Sequence, residues 1–229
     1  MLNRLISISI FLAFGFTASF SQSFLSPNIA LKSHETLTIR KFVMYEEKTE
    51  IFLRVENRIS GGNFCADKNI FIVYPDGTRI LLVSSTGIPV CPDTYKFKSP
   101  GEMLDFVLTF PPLQQGIGSV NLIEDCQDNC FSFYGIILDS NLNNRIDDAF
   151  ALAENDEPAK AMVSFIRITE ENSNKNTGAA GLLYVNIVKL SKTTGNSVKA
   201  AEWYRKLESS GLPETLLYIK HLNSEGIYY

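Results

Sequence analysis

Cys126-Gln127-Asp128-Asn129-Cys130 sets two thiols three residues apart. That spacing lets them cycle between dithiol and disulfide, or hold a soft metal such as copper. The next stretch carries oxygen side chains at Asp139, Asn141, Asn143 and Asp147. Counted as a loop, these are positions one, three, five and nine, which a calcium ion would use. Ile146 stands at position eight, where such loops carry an aliphatic residue. Position six is Asn144 in place of glycine, and position twelve is Phe150 where a bidentate carboxylate belongs. The competing assignment is a polar linker that caps a helix with Asp147 or Asp148. Trp203-Tyr204 is an aromatic pair that could line a groove for a partner or sit in a helical core.

Other chemistry finds no footing. The two histidines, His34 and His221, stand near opposite ends of the chain. No Gly-x-Ser-x-Gly occurs, so a serine nucleophile has no recognisable setting. Neither a Gly-x-Gly-x-x-Gly turn nor a phosphate loop is present. Scattered Asp and Glu residues do not single out a glycosidase pair. The chain has 21 basic and 25 acidic side chains, a formal charge of −4. Nucleic acid is therefore an unsuitable partner, because phosphate binding needs a basic stripe.

The compartment decides how the cysteines read. Arg4 precedes an apolar run from Leu5 to Phe16, and Ser19-Phe20-Ser21 supplies small residues for cleavage. The run is too short to span a bilayer, which takes about twenty residues, so residues 1–21 are expected to be a secretory signal peptide. No other apolar run is long enough for a span. A periplasmic or secreted protein is expected, and there Cys65, Cys91, Cys126 and Cys130 should form disulfides. Four cysteines allow three pairings. Counting strands up and down puts the Cys65 and Cys91 connections at one end of a sandwich and the Cys126–Cys130 loop at the other. The expected bonds are therefore Cys65–Cys91 and Cys126–Cys130.

Two kinds of element must position these residues. Ile51, Leu53 and Val55 alternate with Glu50, Arg54 and Glu56, a strand with one buried face. Leu104, Phe106, Leu108 and Phe110 repeat the pattern. Asn69–Tyr74 and Arg79–Ser84 flank Pro75-Asp76-Gly77-Thr78 as a hairpin. Thr36–Met44, Val90–Phe97, Val120–Glu124 and Phe131–Leu138 complete about eight strands. After Asp139 the periodicity turns helical. Pro158 and Pro213 fit first helical positions, and Asn196 fits an N-cap. Four or five short antiparallel helices follow, and Ala149–Ile166 can be laid on Trp203–Lys220 as an internal repeat. The expected fold is α+β by segregated domains: an all-β sandwich over residues 30–139, then a small antiparallel α-helical domain over 146–229.

Ala200-Ala201-Glu202-Trp203-Tyr204-Arg205-Lys206, followed by Gly211, resembles one Sel1-like or tetratricopeptide-type repeat, departing from it at Leu207. That resemblance implies a helix-hairpin surface for protein partners. Gly87-Ile88-Pro89, Phe106–Leu113, Leu122-Ile123-Glu124 and Phe133-Tyr134-Gly135-Ile136 are similar to an immunoglobulin-like module of secreted Bacteroidota proteins. This likeness implies an immunoglobulin-like sandwich without a known active site. The Cys126–Cys130 spacing also resembles that of copper-delivery proteins of the thioredoxin fold. Here, however, the second cysteine leads into a strand and not a helix N-terminus that would lower a thiol pKa.

The expectation is a non-enzymatic binding or scaffold protein that engages another secreted or envelope protein and needs no cofactor. The alternatives are a thiol-redox or copper-handling accessory at Cys126 and Cys130, and a calcium-assisted carbohydrate-binding or adhesin-like module.

Overall fold

The computed structural model describes residues 21–173 and 177–229. The apolar stretch Met1–Phe20, on which the signal-peptide expectation rests, lies outside the described residues. In chain order the strands are β1 (Gln22–Leu25), β2 (Ile29–Lys32), β3 (Leu37–Met44), β4 (Thr49–Glu56), β5 (Asn63–Phe64) and β6 (Ile70–Val73). They continue with β7 (Arg79–Leu81), β8 (Ser84–Thr86), β9 (Tyr95–Lys96), β10 (Met103–Phe110), β11 (Ser119–Glu124) and β12 (Ser132–Ile137). The helices are α1 (Ser140–Glu154), α2 (Pro158–Glu171), α3 (Ala180–Thr193), α4 (Ser197–Glu208) and α5 (Thr215–Ser224). A sheet-rich part followed by helices is what the change in periodicity indicates.

The long strands pair antiparallel in two sheets, with orders β1-β3-β4-β10-β8 and β2-β12-β11-β6-β7. Their inner faces meet in one core. Leu37, Phe42, Ile51, Leu53, Phe106 and Leu108 of the first sheet pack with Ile70, Ile72, Val120, Leu122, Phe133 and Ile136 of the second. Strand β4 keeps strict alternation, buried at Ile51, Leu53 and Val55 and half-open between them. The β6–β7 hairpin turns at Pro75–Thr78, where Gly77 takes φ +86° and Asp76 accepts from the Thr78 N–H at 2.8 Å. After β7 the chain crosses to the other sheet and joins its edge as β8.

The helices cover the outer face of the second sheet. Their core takes Ile137 from β12 and rests on Ala30 and Leu31 of β2. A bulge in β12 between Phe133 and Ile136 sets the division: Phe133 and Ile136 both point into the sandwich, and the next residue, Ile137, points into the helices. Pro158 opens α2 as expected. Pro213 does not open α5, which starts at Thr215. The gapless internal repeat consequently fails beyond the first helix of each pair, since Met162 is buried and its counterpart Leu216 is 83% exposed.

Three sequence expectations need correction. The sandwich begins at Gln22, because β1 and β2 add one strand to each sheet. Both are four residues long, too short to show an alternating pattern. Residues 90–97 are not a full strand: after Pro92-Asp93 only Tyr95 and Lys96 pair, with β5. The helical part begins at Ser140, inside the stretch read as an oxygen-ligand loop.

Candidate functional site

Both disulfides form in the expected pairing, Cys65–Cys91 across 26 residues and Cys126–Cys130 across four. Their placement differs from expectation. Strand β10 runs antiparallel to β4, and β11 antiparallel to β6. The connections 57–69, 87–102 and 125–131 therefore all leave the same end of the sandwich. Treating residues 90–97 as a full strand adds one reversal to the count and sends the last loop to the wrong end.

These three connections are tied together. Ala66 is fully buried; its N–H donates to the Pro89 carbonyl at 3.0 Å, and its carbonyl accepts from the Cys91 N–H at 3.1 Å. Strands β5 and β9 add a second rung. Asn57 holds the start of the connection, its side-chain amide donating to the Ile59 and Ser99 carbonyls at 2.7 and 2.8 Å. Gly62 lets Asn57 sit there, because a Cβ would come within 2.1 Å of the Asn57 Oδ1. Glu102 accepts from the Tyr95 hydroxyl and the Lys98 N–H, and these bonds, Tyr95 first, hold its carboxyl below the usual range.

Glu124 joins this assembly to the third loop. Its Oε1 accepts from the Asp67 N–H at 2.8 Å and its Oε2 from the Phe131 N–H at 3.0 Å. The side chain is buried, and burial pushes its carboxyl pKa up against the pull of those two donors. The loops enclose a groove of about 930 Å³ that reaches from His34 past both disulfides to Asn129. Ile59, on its lining, is 65% exposed, and Val90 at the same end is 49% exposed. Apolar side chains held open on stapled loops are suited to protein contact, since little order remains to be lost on binding.

The four oxygen-bearing residues are distributed by a helix. Asp139 is the N-cap of α1, and its Oδ1 accepts from the Leu142 N–H at 2.9 Å. Asn143 is buried; it donates to the Ile137 carbonyl and accepts from the Asn28 N–H. Asp147 accepts from the Asn28 side-chain amide at 2.9 Å, and Asn141 is exposed. Residues two apart on a helix face different directions, so Asn141 and Asn143 cannot share an ion. The loop reading is thereby corrected: Asp139 caps α1, Asn143 and Asp147 dock it against Ile137 and Asn28, and Asp147 and Asp148 lie inside the helix and do not cap it. Asp139→Ala should cost about 1 kcal/mol in urea unfolding, equally with and without added calcium. A loss confined to calcium-containing buffer would contradict this.

Trp203 and Tyr204 are corrected in the same way. Both are buried in the helical core, the Trp203 ring 5.6 Å from that of Tyr184 and 4.0 Å from the Lys206 ammonium. The Tyr204 hydroxyl donates to Asn223 Oδ1 at 3.0 Å. They hold α3, α4 and α5 together and present no open face. Among the described residues no cluster of three or more His, Cys, Asp or Glu side chains could hold a metal, and no helix is long and apolar enough to cross a membrane. No family model, curated protein or solved structure matches this chain.

Proposed function

We propose that this is a secreted or periplasmic, non-enzymatic binding protein that engages a protein partner through the disulfide-stapled end of an immunoglobulin-like sandwich. One observation carries the reading: three connections converge at one end, each bearing a disulfide-bonded cysteine, and are cross-linked by Ala66, Asn57 and Glu124 around an open groove. Rigid loops at the end of a sandwich are a preorganised binding surface, the arrangement antibody variable domains use. The disulfides favour an oxidising compartment.

Strand order supports the immunoglobulin-like assignment. The order β2-β12-β11-β6-β7 corresponds to a split first strand beside G, F, C and C′, and β8 and β10 to D and E in the opposite sheet. Strand β4 pairs with β10 as B does with E, so the extra strand β3 between β1 and β4, and the absence of a disulfide between the sheets, depart from that pattern. The helices take a scaffold role in this reading, because α1 to α5 cover the second sheet and bury their aromatic pair.

Charge insertion tests the proposal. Ile59→Asp should reduce capture of the partner from the secreted fraction at least tenfold, with the fold intact, as loss of a central apolar contact does. Leu216→Asp, on the exposed side of α5, should leave capture unchanged. Equal capture by both variants, or loss only with Leu216→Asp, would move the interface away from the stapled end.

A further inference from the structure

A second cleft, of about 410 Å³, lies between the helical layer and the outer face of the second sheet, bordered by Pro75–Gly77 and Leu212–Glu214. Glycines bring the backbone close here. A Cβ on Gly135, which has φ +63°, would sit 3.1 Å from the Gly178 carbonyl oxygen and 3.7 Å from the Tyr218 hydroxyl. Gly181 lies under the Tyr218 ring, where a Cβ would come within 2.2 Å. The Gly178 carbonyl and the Tyr218 hydroxyl therefore border one small space beside Gly135.

The polar groups around this space are incompletely used. The Gly135 N–H donates to Asn121 Oδ1 at 2.7 Å, and the Asn121 amide donates to Glu214 Oε1 at 2.8 Å. Glu214 Oε2 has no hydrogen-bond or ion-pair partner among the described residues. Tyr218 is 3% exposed, yet its hydroxyl has no hydrogen-bond partner among the described residues. The hydroxyl lines the cleft, where it is placed to hydrogen-bond an occupant. Burial, with the Glu214 charge adding to it, pushes the hydroxyl pKa up and keeps it neutral.

The lining sets the ligand's chemistry. Among the described residues it contains the carboxylates of Asp76 and Glu214 and no Lys, Arg or His. Anions are disfavoured, and acceptor oxygens outnumber free donors. A primary ammonium group offers three N–H donors and no acceptor, with charge assistance from Glu214. We propose that this cleft binds a small primary ammonium compound, its nitrogen held between the Glu214 carboxylate, the Gly178 carbonyl and the Tyr218 hydroxyl.

The test is NMR titration of the disulfide-bonded protein with ethanolamine, using glycerol and acetate as a neutral and an anionic comparator. Ethanolamine should give saturable shifts of the Gly135 and Gly178 amides and the Asn121 side-chain amide. Glu214→Gln keeps an acceptor for Asn121, and Tyr218→Phe keeps the ring on Gly181. Each should weaken ethanolamine about tenfold or more, the scale of one charge-assisted bond, with other resonances unchanged. Absence of saturable shifts, wild-type affinity in either variant, or equal binding of glycerol or acetate would overturn the proposal.

Discussion

Replacing Cys65 and Cys91 together by alanine should destabilise the protein by about 3 kcal/mol, because that bond closes a long loop in the unfolded chain. It spans 26 residues and joins two connections that otherwise meet through the Ala66 bridge and the two-residue β5–β9 pair. The double variant should unfold at lower urea and lose amide protection first in residues 57–69 and 87–102. Removing Cys126 and Cys130 should cost less, about 2 kcal/mol, since that loop spans only four residues. Urea unfolding with hydrogen exchange measures both. An equal or larger loss for the shorter loop would contradict the assigned roles.

Glu124→Ala should cost about 2–4 kcal/mol, because it orphans the Asp67 and Phe131 N–H groups at once. The pH dependence carries a sign that follows from burial. Glu124 has its folded pKa raised above the unfolded value. The folded state then holds the proton more tightly, a contribution fully present below the unfolded pKa and lost as pH rises through the folded pKa. Relative to Glu124→Gln, which does not titrate at this position, the wild type should gain stability as pH is lowered from neutral into the acid range. The exposed Arg54–Asp105 pair acts in the opposite sense. Hydrogen bonding to Arg54 lowers the Asp105 pKa, so that small contribution is lost as pH falls through it. Urea titrations of wild type and Glu124→Gln across this range read the difference directly, and a parallel pair of curves would refute the assignment.

Much of the framework was legible because it rests on local periodicity. The burial alternation of β4 and β10 and the turn at Gly77 follow from side-chain sequence alone. The cysteine pairing matches expectation, but the strand count used to choose it does not hold, because all four cysteines lie at one end of the sandwich. One stretch, Val90–Phe97, has strand-like composition, but Pro92 and Asp93 interrupt it, and a miscount of one reversal moves a loop to the opposite end. Asp139–Asp148 misled for a different reason. Asp and Asn are helix-capping and turn residues as well as metal ligands, so a capped helix start and a calcium loop share a vocabulary. The cleft around Tyr218 left no sequence signal. Asn121 and Glu214 are 93 residues apart, and only the docking of helices on the second sheet brings them together.

Site-specific photo-crosslinking in the native compartment decides whether the stapled end is the binding face. A crosslinker would replace Ile59 or Gln127 at the stapled end, and Asp76 or Leu216 elsewhere. One defined adduct should form from Ile59 and Gln127, abolished when Cys65 and Cys91 are both replaced by alanine, and none from Asp76 or Leu216. An adduct from Asp76 or Leu216 alone, or no adduct from any of the four, would contradict that assignment.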